Sequence, residues 1–137
     1  MVVTRNQRHR RGRQEARRRR GRGARRRGRW AETLAVLYLR LKGYRVLERN
    51  WRSQLGEIDI LVRKGGILVL VEVKSRADAG LASGAVLPPQ RRRLLRALGH
   101  YLKTRPELDG LDLRCDVVAL GRLGWPVHLK DAWRPDF

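Results

Sequence analysis

The sequence is short of cysteine, of acid and of long apolar runs, and each shortage closes off a class of protein. A single cysteine, Cys115, in 137 residues excludes a disulfide framework within the chain. That usage fits a reducing compartment. No apolar run approaches the roughly 18–20 residues of a membrane-spanning helix. The arginines at the N-terminus are followed by no apolar stretch of the kind a secretory signal carries. The expectation is a cytoplasmic protein without a membrane segment. Three histidines (His9, His100 and His128) and one cysteine show no zinc-ligand spacing.

Acids are the other scarce class. Asp and Glu number 13 against 33 Lys and Arg, for a net charge of +20. The excess is uneven. Residues 1–29 hold 14 arginines and one acid, Glu15. They are low in complexity and carry no large apolar residue between Val3 and the end of the tail, so self-repulsion predicts disorder. Such a tail suits an arm that neutralises nucleic-acid phosphates. It also suits a solvated extension without a dedicated role, or a stretch upstream of the true start. Residues 30–137 are the expected folded domain, long enough for one modest core.

What is present in abundance is branched aliphatic residues in a hairpin. Gly56 to Lys64 and Ile67 to Lys74 are both strand-like and are joined by Gly65-Gly66. A two-glycine loop suits a primed turn, since glycine reaches positive φ at little cost. That turn sets Lys64 opposite Ile67, and therefore Asp59 opposite Glu72 and Glu57 opposite Lys74. One face is then Ile58, Ile60, Val62, Ile67, Val69, Val71 and Val73. The other carries Leu61, Leu68 and Leu70 near the turn, and Glu57, Asp59, Glu72 and Lys74 at the open end. Opposed carboxylates with Cβ atoms roughly 5 Å apart repel unless a cation lies between them. Magnesium takes one or two protein carboxylates with waters and phosphate oxygens. Salt bridges at a frayed strand end are the alternative reading of the same cluster.

Around this hairpin the remaining elements follow in order. Trp30 to Lys42 carries an apolar stripe near helical period and ends at Gly43. Glu32 lies in its first turn, where it either complements the helix dipole or points at the open end of the hairpin. Tyr44 to Trp51 forms a first strand. Residues 75–89 form an Ala-, Gly- and Ser-rich loop. Pro88 to Thr104 is a second helix with Leu94, Leu95, Leu98, Tyr101 and Leu102 on one face. Arg91, Arg92, Arg93 and Arg96 crowd its N-terminal half, where a phosphate would relieve their repulsion from the dipole. Pro106 to Gly110 is a turn, and strands follow at Leu113 to Leu120 and Val127 to Trp133. The order α-β-β-β-α-β-β implies an α/β domain with a mixed sheet flanked by helices. Cys115 is expected to be a small core residue.

Several of these stretches together resemble the YraN family of predicted endonucleases. They are Glu32, Gly43-Tyr44, Asn50-Trp51-Arg52, Gly56-Glu57-Ile58-Asp59, Val71-Glu72-Val73-Lys74-Ser75-Arg76 and Arg114-Cys115-Asp116-Val117-Val118. The resemblance covers about residues 28–133. It implies a restriction-endonuclease-like fold with a D…E-x-K signature, similar to archaeal Holliday-junction resolvases. It further implies that Asp59 and Glu72 are metal ligands, with the Val73 carbonyl, and that Lys74 is the third signature residue. Glu32 becomes the helix-borne acid near the metal. Two positions depart from the family pattern: Gln90 stands where a lysine is usual, and Cys115 where phenylalanine is.

The implied activity is magnesium- or manganese-dependent hydrolysis of phosphodiester bonds in DNA, branched or structured DNA included. Glu32, Asp59, Glu72, Lys74 and Gln90 would carry the chemistry. Arg76, Arg91, Arg92, Arg93 and Arg96 would hold flanking phosphates without reading sequence. A resolvase-like role is compatible with a homodimer. The competing expectation is a non-catalytic nucleic-acid-binding protein that uses the arginine tail and the basic helix.

Overall fold

A computed structural model of the chain describes residues 29–75, 86–121 and 125–135. The compact unit that carries the sheet runs from Ala31 to Phe137. The first helix, α1, covers 29–41. Three strands follow: β1 (Arg45–Ser53), β2 (Gly56–Lys64) and β3 (Ile67–Lys74). Helix α2 (Pro88–Lys103) and a 3-10 turn (Pro106–Leu108) lead to β4 (Asp112–Leu120) and β5 (Pro126–Trp133). The sheet is five-stranded in the order β1-β2-β3-β4-β5, with β3 and β4 parallel and the other neighbours antiparallel. This is the expected α-β-β-β-α-β-β order with a mixed sheet.

One helix covers each face of the sheet. Ala35, Val36 and Leu39 of α1 pack with Tyr44 on Ile60, Val62, Val69, Val71 and Val118. Leu94, Ala97, Leu98 and Tyr101 of α2 pack on Ile58, Leu61, Leu68, Leu70, Cys115 and Val117. Cys115 is a buried core residue, and burial pushes its thiol up to about 12. Helix α2 buries the stripe its periodicity picks out. Helix α1 departs from the expected stripe of Ala31, Leu34, Ala35, Leu37, Tyr38 and Leu41, since it buries Val36 and Leu39 and leaves Leu37 and Leu41 exposed.

The hairpin register is the expected one from the turn inward. Lys64 pairs with Ile67, and the ladder continues to Ile60 opposite Val71. There it stops, and two expectations fail beyond it. Asp59 does not sit in a ladder pair with Glu72; its Oδ2 accepts the Val73 N–H at 3.0 Å. Glu57 does not meet Lys74; its carboxylate pairs with Arg52 at 2.6 Å. The assignment of faces also changes at this point. Ile60 lies under α1, but Ile58 lies under α2. The cause is local. The β1–β2 ladder skips the Asn50/Asp59 position, and Asn50 has φ +53. A left-handed residue in one strand breaks the period-two alternation of its partner.

Candidate active site

The parting of β2 from β3 creates the site. With the ladder ended, the Asp59 side chain takes the place of a strand and satisfies the Val73 N–H. Asp59 is thereby held beside Glu72, close enough for the two carboxyl groups to hydrogen-bond. Glu72 projects toward α2, where Gln90 in the first turn donates from Nε2 to Glu72 Oε1 at 2.6 Å. The Gln90 Oε1 accepts from Lys74 Nζ at 3.4 Å, and Lys74 Nζ lies 3.9 Å from Glu72 Oε1. The Gln90 amide thus bridges the acid and the lysine, and these two bonds fix which way round it sits. Gly56, Glu57, Asp59, Glu72, Gln90, Arg93 and Leu94 line a cavity of about 240 Å³ over these groups.

Gly56 allows α2 to approach this closely. It has φ +153, and a Cβ there would lie 2.9 Å from the Arg93 carbonyl oxygen. The helix that carries Gln90 and Arg93 therefore rests on the bare backbone of β2.

The acids are held in an environment that disfavours their charge. Burial first, and the neighbouring Asp59 second, push Glu72 up to about 9. Burial also raises Asp59, against the opposing Val73 N–H. Glu32 is raised to about 7 by burial and by the charges of Asp59 and Glu57, while Arg49 and Arg52 pull it down. Glu32 therefore faces the same site from α1. Three carboxyl groups with raised values around one cleft are a recognised mark of a functional site.

Most of the predicted site residues converge here: Glu32, Asp59, Glu72, Val73, Lys74, Gln90 and Arg93. Arg92 and Arg96 are exposed on α2. Arg91 turns away: its Nε donates to the Val86 carbonyl at 2.6 Å, and its guanidinium lies over the Trp133 ring. Arg76 and residues 1–28 of the tail lie outside the described residues. Sequence reasoning missed Arg49 and Arg52 of β1, whose charges act on Glu32. Arg49 is also tied to α1, with Nη2 donating to Thr33 Oγ1 at 3.0 Å. Only the strand pairing puts β1 beside the site, so no local spacing signals these two. A larger cleft of about 490 Å³, lined by Ile67, Asp112, Trp133 and Arg134 among others, contains none of the predicted groups.

The profile of a family described as Uncharacterised protein family UPF0102 matches residues 31–120. The chain belongs to this family. The family is the one also called YraN, so the resemblance drawn from the sequence holds. A UPF0102 protein of Parvibaculum lavamentivorans is 55% identical over 105 residues, covering 77% of this chain and 79% of its own. A UPF0102 protein of Paramagnetospirillum magneticum is 43% identical over 110 residues, covering 77% and 85%. One from Caulobacter vibrioides is 45% identical over 103 residues, covering 75% and 82%. The UPF0102 match contains all of α1 from Ala31, the parted hairpin and Gln90.

Proposed function

We propose that this UPF0102 protein is a metal-dependent endonuclease that hydrolyses phosphodiester bonds in DNA, branched or structured DNA included. The observation that carries the reading is the pairing of Asp59 with Glu72 in a partly dry cleft, with Lys74 and Gln90 locked to Glu72.

The donor set fits a magnesium or manganese ion. Burial raises both carboxyl groups, and the charge of Asp59 raises Glu72 further; a cation that replaces their proton relieves them. Among the described residues no group of three His, Cys, Asp or Glu forms a complete cage. A magnesium site needs none, since waters and phosphate oxygens complete it. Asp59 and Glu72 would hold the ion, with the Val73 carbonyl as the third protein donor. A bound divalent cation supplies polarisation of the phosphate and acidification of water.

The chain's own residues account for the rest of the reaction. A water oxygen bonds to phosphorus, the P–O bond to the leaving strand breaks, and the leaving oxygen takes up a proton from solvent water. Glu32, raised to about 7, is suited to accept the water proton at neutral pH. Lys74, the partly buried cation paired with Glu72, balances charge that develops on the phosphoryl oxygens. Gln90 holds Lys74 and Glu72 at a set separation. Arg93 at the cavity, with Arg92 and Arg96 on α2, would hold the flanking backbone.

The test is cleavage of branched and linear DNA with magnesium. Wild type is compared with Asp59→Ala, Glu72→Ala and Lys74→Ala. The expected result is metal-dependent cleavage that falls at least about 100-fold in each variant. Unchanged activity in all three overturns the mechanism. Salt-dependent binding without any cleavage or metal uptake points instead to a non-catalytic nucleic-acid-binding protein.

A further inference from the structure

The hairpin has a second charged end. At the turn, Arg45 of β1 stands directly opposite Arg63 of β2. Like charges in a cross-strand pair repel. Lys64 follows at once, and its Nζ lies 5.0 Å from the centre of the Tyr44 ring and donates to the Lys42 carbonyl at 2.8 Å. The Lys42 Nζ lies 5.2 Å from the Tyr38 ring centre. The two lysines are thus laid along aromatic rings and not left to wander, which lowers the entropy a ligand must remove.

None of Lys42, Arg45, Arg63 and Lys64 has an ion pair to a carboxylate among the described residues. Asp112 comes to the same turn, but it does so through its N–H, which donates to the Gly66 carbonyl at 3.0 Å. Four cations are therefore gathered at this end of the sheet, Arg45 and Arg63 on the α2 side and Lys64 with Lys42 on the α1 side. No carboxylate lies at ion-pair distance from them among the described residues; Lys42 also meets His128 Nδ1 at 2.6 Å. The arrangement leaves their repulsion for an external anion to relieve.

Two elements run from the acid cleft to this patch and measure the distance between them. From Asp59 to Lys64 along β2 is about 17 Å at strand rise. From Glu32 to Lys42 along α1 is about 15 Å at helix rise. That span matches about five base-pair steps of duplex.

We propose that the turn end of the central hairpin, with Arg45, Arg63 and Lys64 as its contacts and Lys42 behind them, is a second phosphate-binding surface. It engages the nucleic-acid backbone about five base pairs from the cleft. The distance to the cut position rests on the nuclease reading; the binding surface itself does not. The contacts are to phosphates and carry no sequence reading.

The test is the salt dependence of duplex binding by the full chain in chelator, where no cleavage occurs. A triple variant, Arg45→Ala with Arg63→Ala and Lys64→Ala, should flatten the slope of log affinity against log salt by between about two and three. Arg45→Lys with Arg63→Lys should keep the wild-type slope, because the charge is kept. Adding Arg92→Ala, Arg93→Ala and Arg96→Ala should lower the slope additively, since the two groups lie more than about 10 Å apart. A wild-type slope in the triple variant, with its melting transition intact, overturns the proposal. So does loss of binding to polyglutamate with duplex binding unchanged, which would assign the patch to an acidic protein. If the slope falls but wild type cuts no DNA with magnesium, the surface stands and the nuclease reading falls. If wild type cuts and the slope is unchanged, the reverse holds.

Discussion

Glu72 and Asp116 are both buried acids, and the fold treats them in opposite ways. Asp116 is fully matched. Arg114 donates to it twice at 2.8 Å, and the Asp131 N–H donates at 3.0 Å. The His128 Nε2 lies 2.7 Å away. The Lys42 ammonium lies 2.6 Å from the His128 Nδ1 and can only donate, so Nδ1 accepts and Nε2 carries the hydrogen toward Asp116. Burial alone would raise Asp116, but the bonds from His128, Arg114 and Asp131 outweigh it and bring it down to about 2. Its contribution to stability is present above the ordinary carboxylate value of 3.8 and is lost as pH falls toward 2. Glu72 runs the other way. Its value rises from 4.5 to about 9, so without metal the folded state holds a proton that the unfolded state releases. Stability should therefore decline as pH rises between those two values. Urea unfolding of metal-free protein across that window should show the decline, and Glu72→Gln should remove most of it. A flat wild-type profile would show that Glu72 is not held neutral.

The hairpin shows how far residue patterns can be trusted at the scale of an element. Its register was legible because the Gly65-Gly66 loop fixes one pairing and every later pair follows from it. Its end was not, because counting by twos assumes that the ladder continues. Asn50, a residue type that tolerates left-handed backbone, was the available sign that it does not. The Asp59/Glu72/Lys74 group was legible from the charged open end. Gln90 was named only by comparison with the family pattern, and its bridging amide required coordinates. Gly56 is the element-scale dependency that follows from the close approach of α2. Gly56→Ala would place a methyl group against the Arg93 carbonyl at a backbone angle that side chains rarely adopt. A loss of about 2 kcal/mol or more is expected in chemical denaturation. Gln90 and Arg93 should move with the helix, so metal affinity should fall together with stability.

Charge is the property that belongs to the whole molecule. The +20 net charge divides between a tail with 14 arginines and a domain whose cations flank the cleft and the hairpin turn. Deleting residues 1–28 should weaken DNA binding sharply at low salt and reduce the salt slope, measured by fluorescence anisotropy. An unchanged slope would remove the tail from the binding surface. The composition predicts an anionic partner, but it holds no information on where the domain's own cations gather. That depends on strand pairing, which brings Arg45 to Arg63 and Arg49 and Arg52 to Glu32.

The bonds around Asp116 also set which parts of the molecule open together. Lys42 follows directly on α1, Tyr44 leads into β1, Arg114 and Asp116 lie in β4, and His128 and Asp131 lie in β5. The β5 strand sits at the sheet edge, where amides ordinarily exchange early. Here its release strands a buried carboxylate and the end of the first helix at once. Native-state hydrogen exchange should find the β5 amides and the last turn of α1 opening at one shared free energy, above that of the β1 edge. Asp116→Asn should lower both together. The outermost strand would then act as a clasp on the helix that carries Glu32.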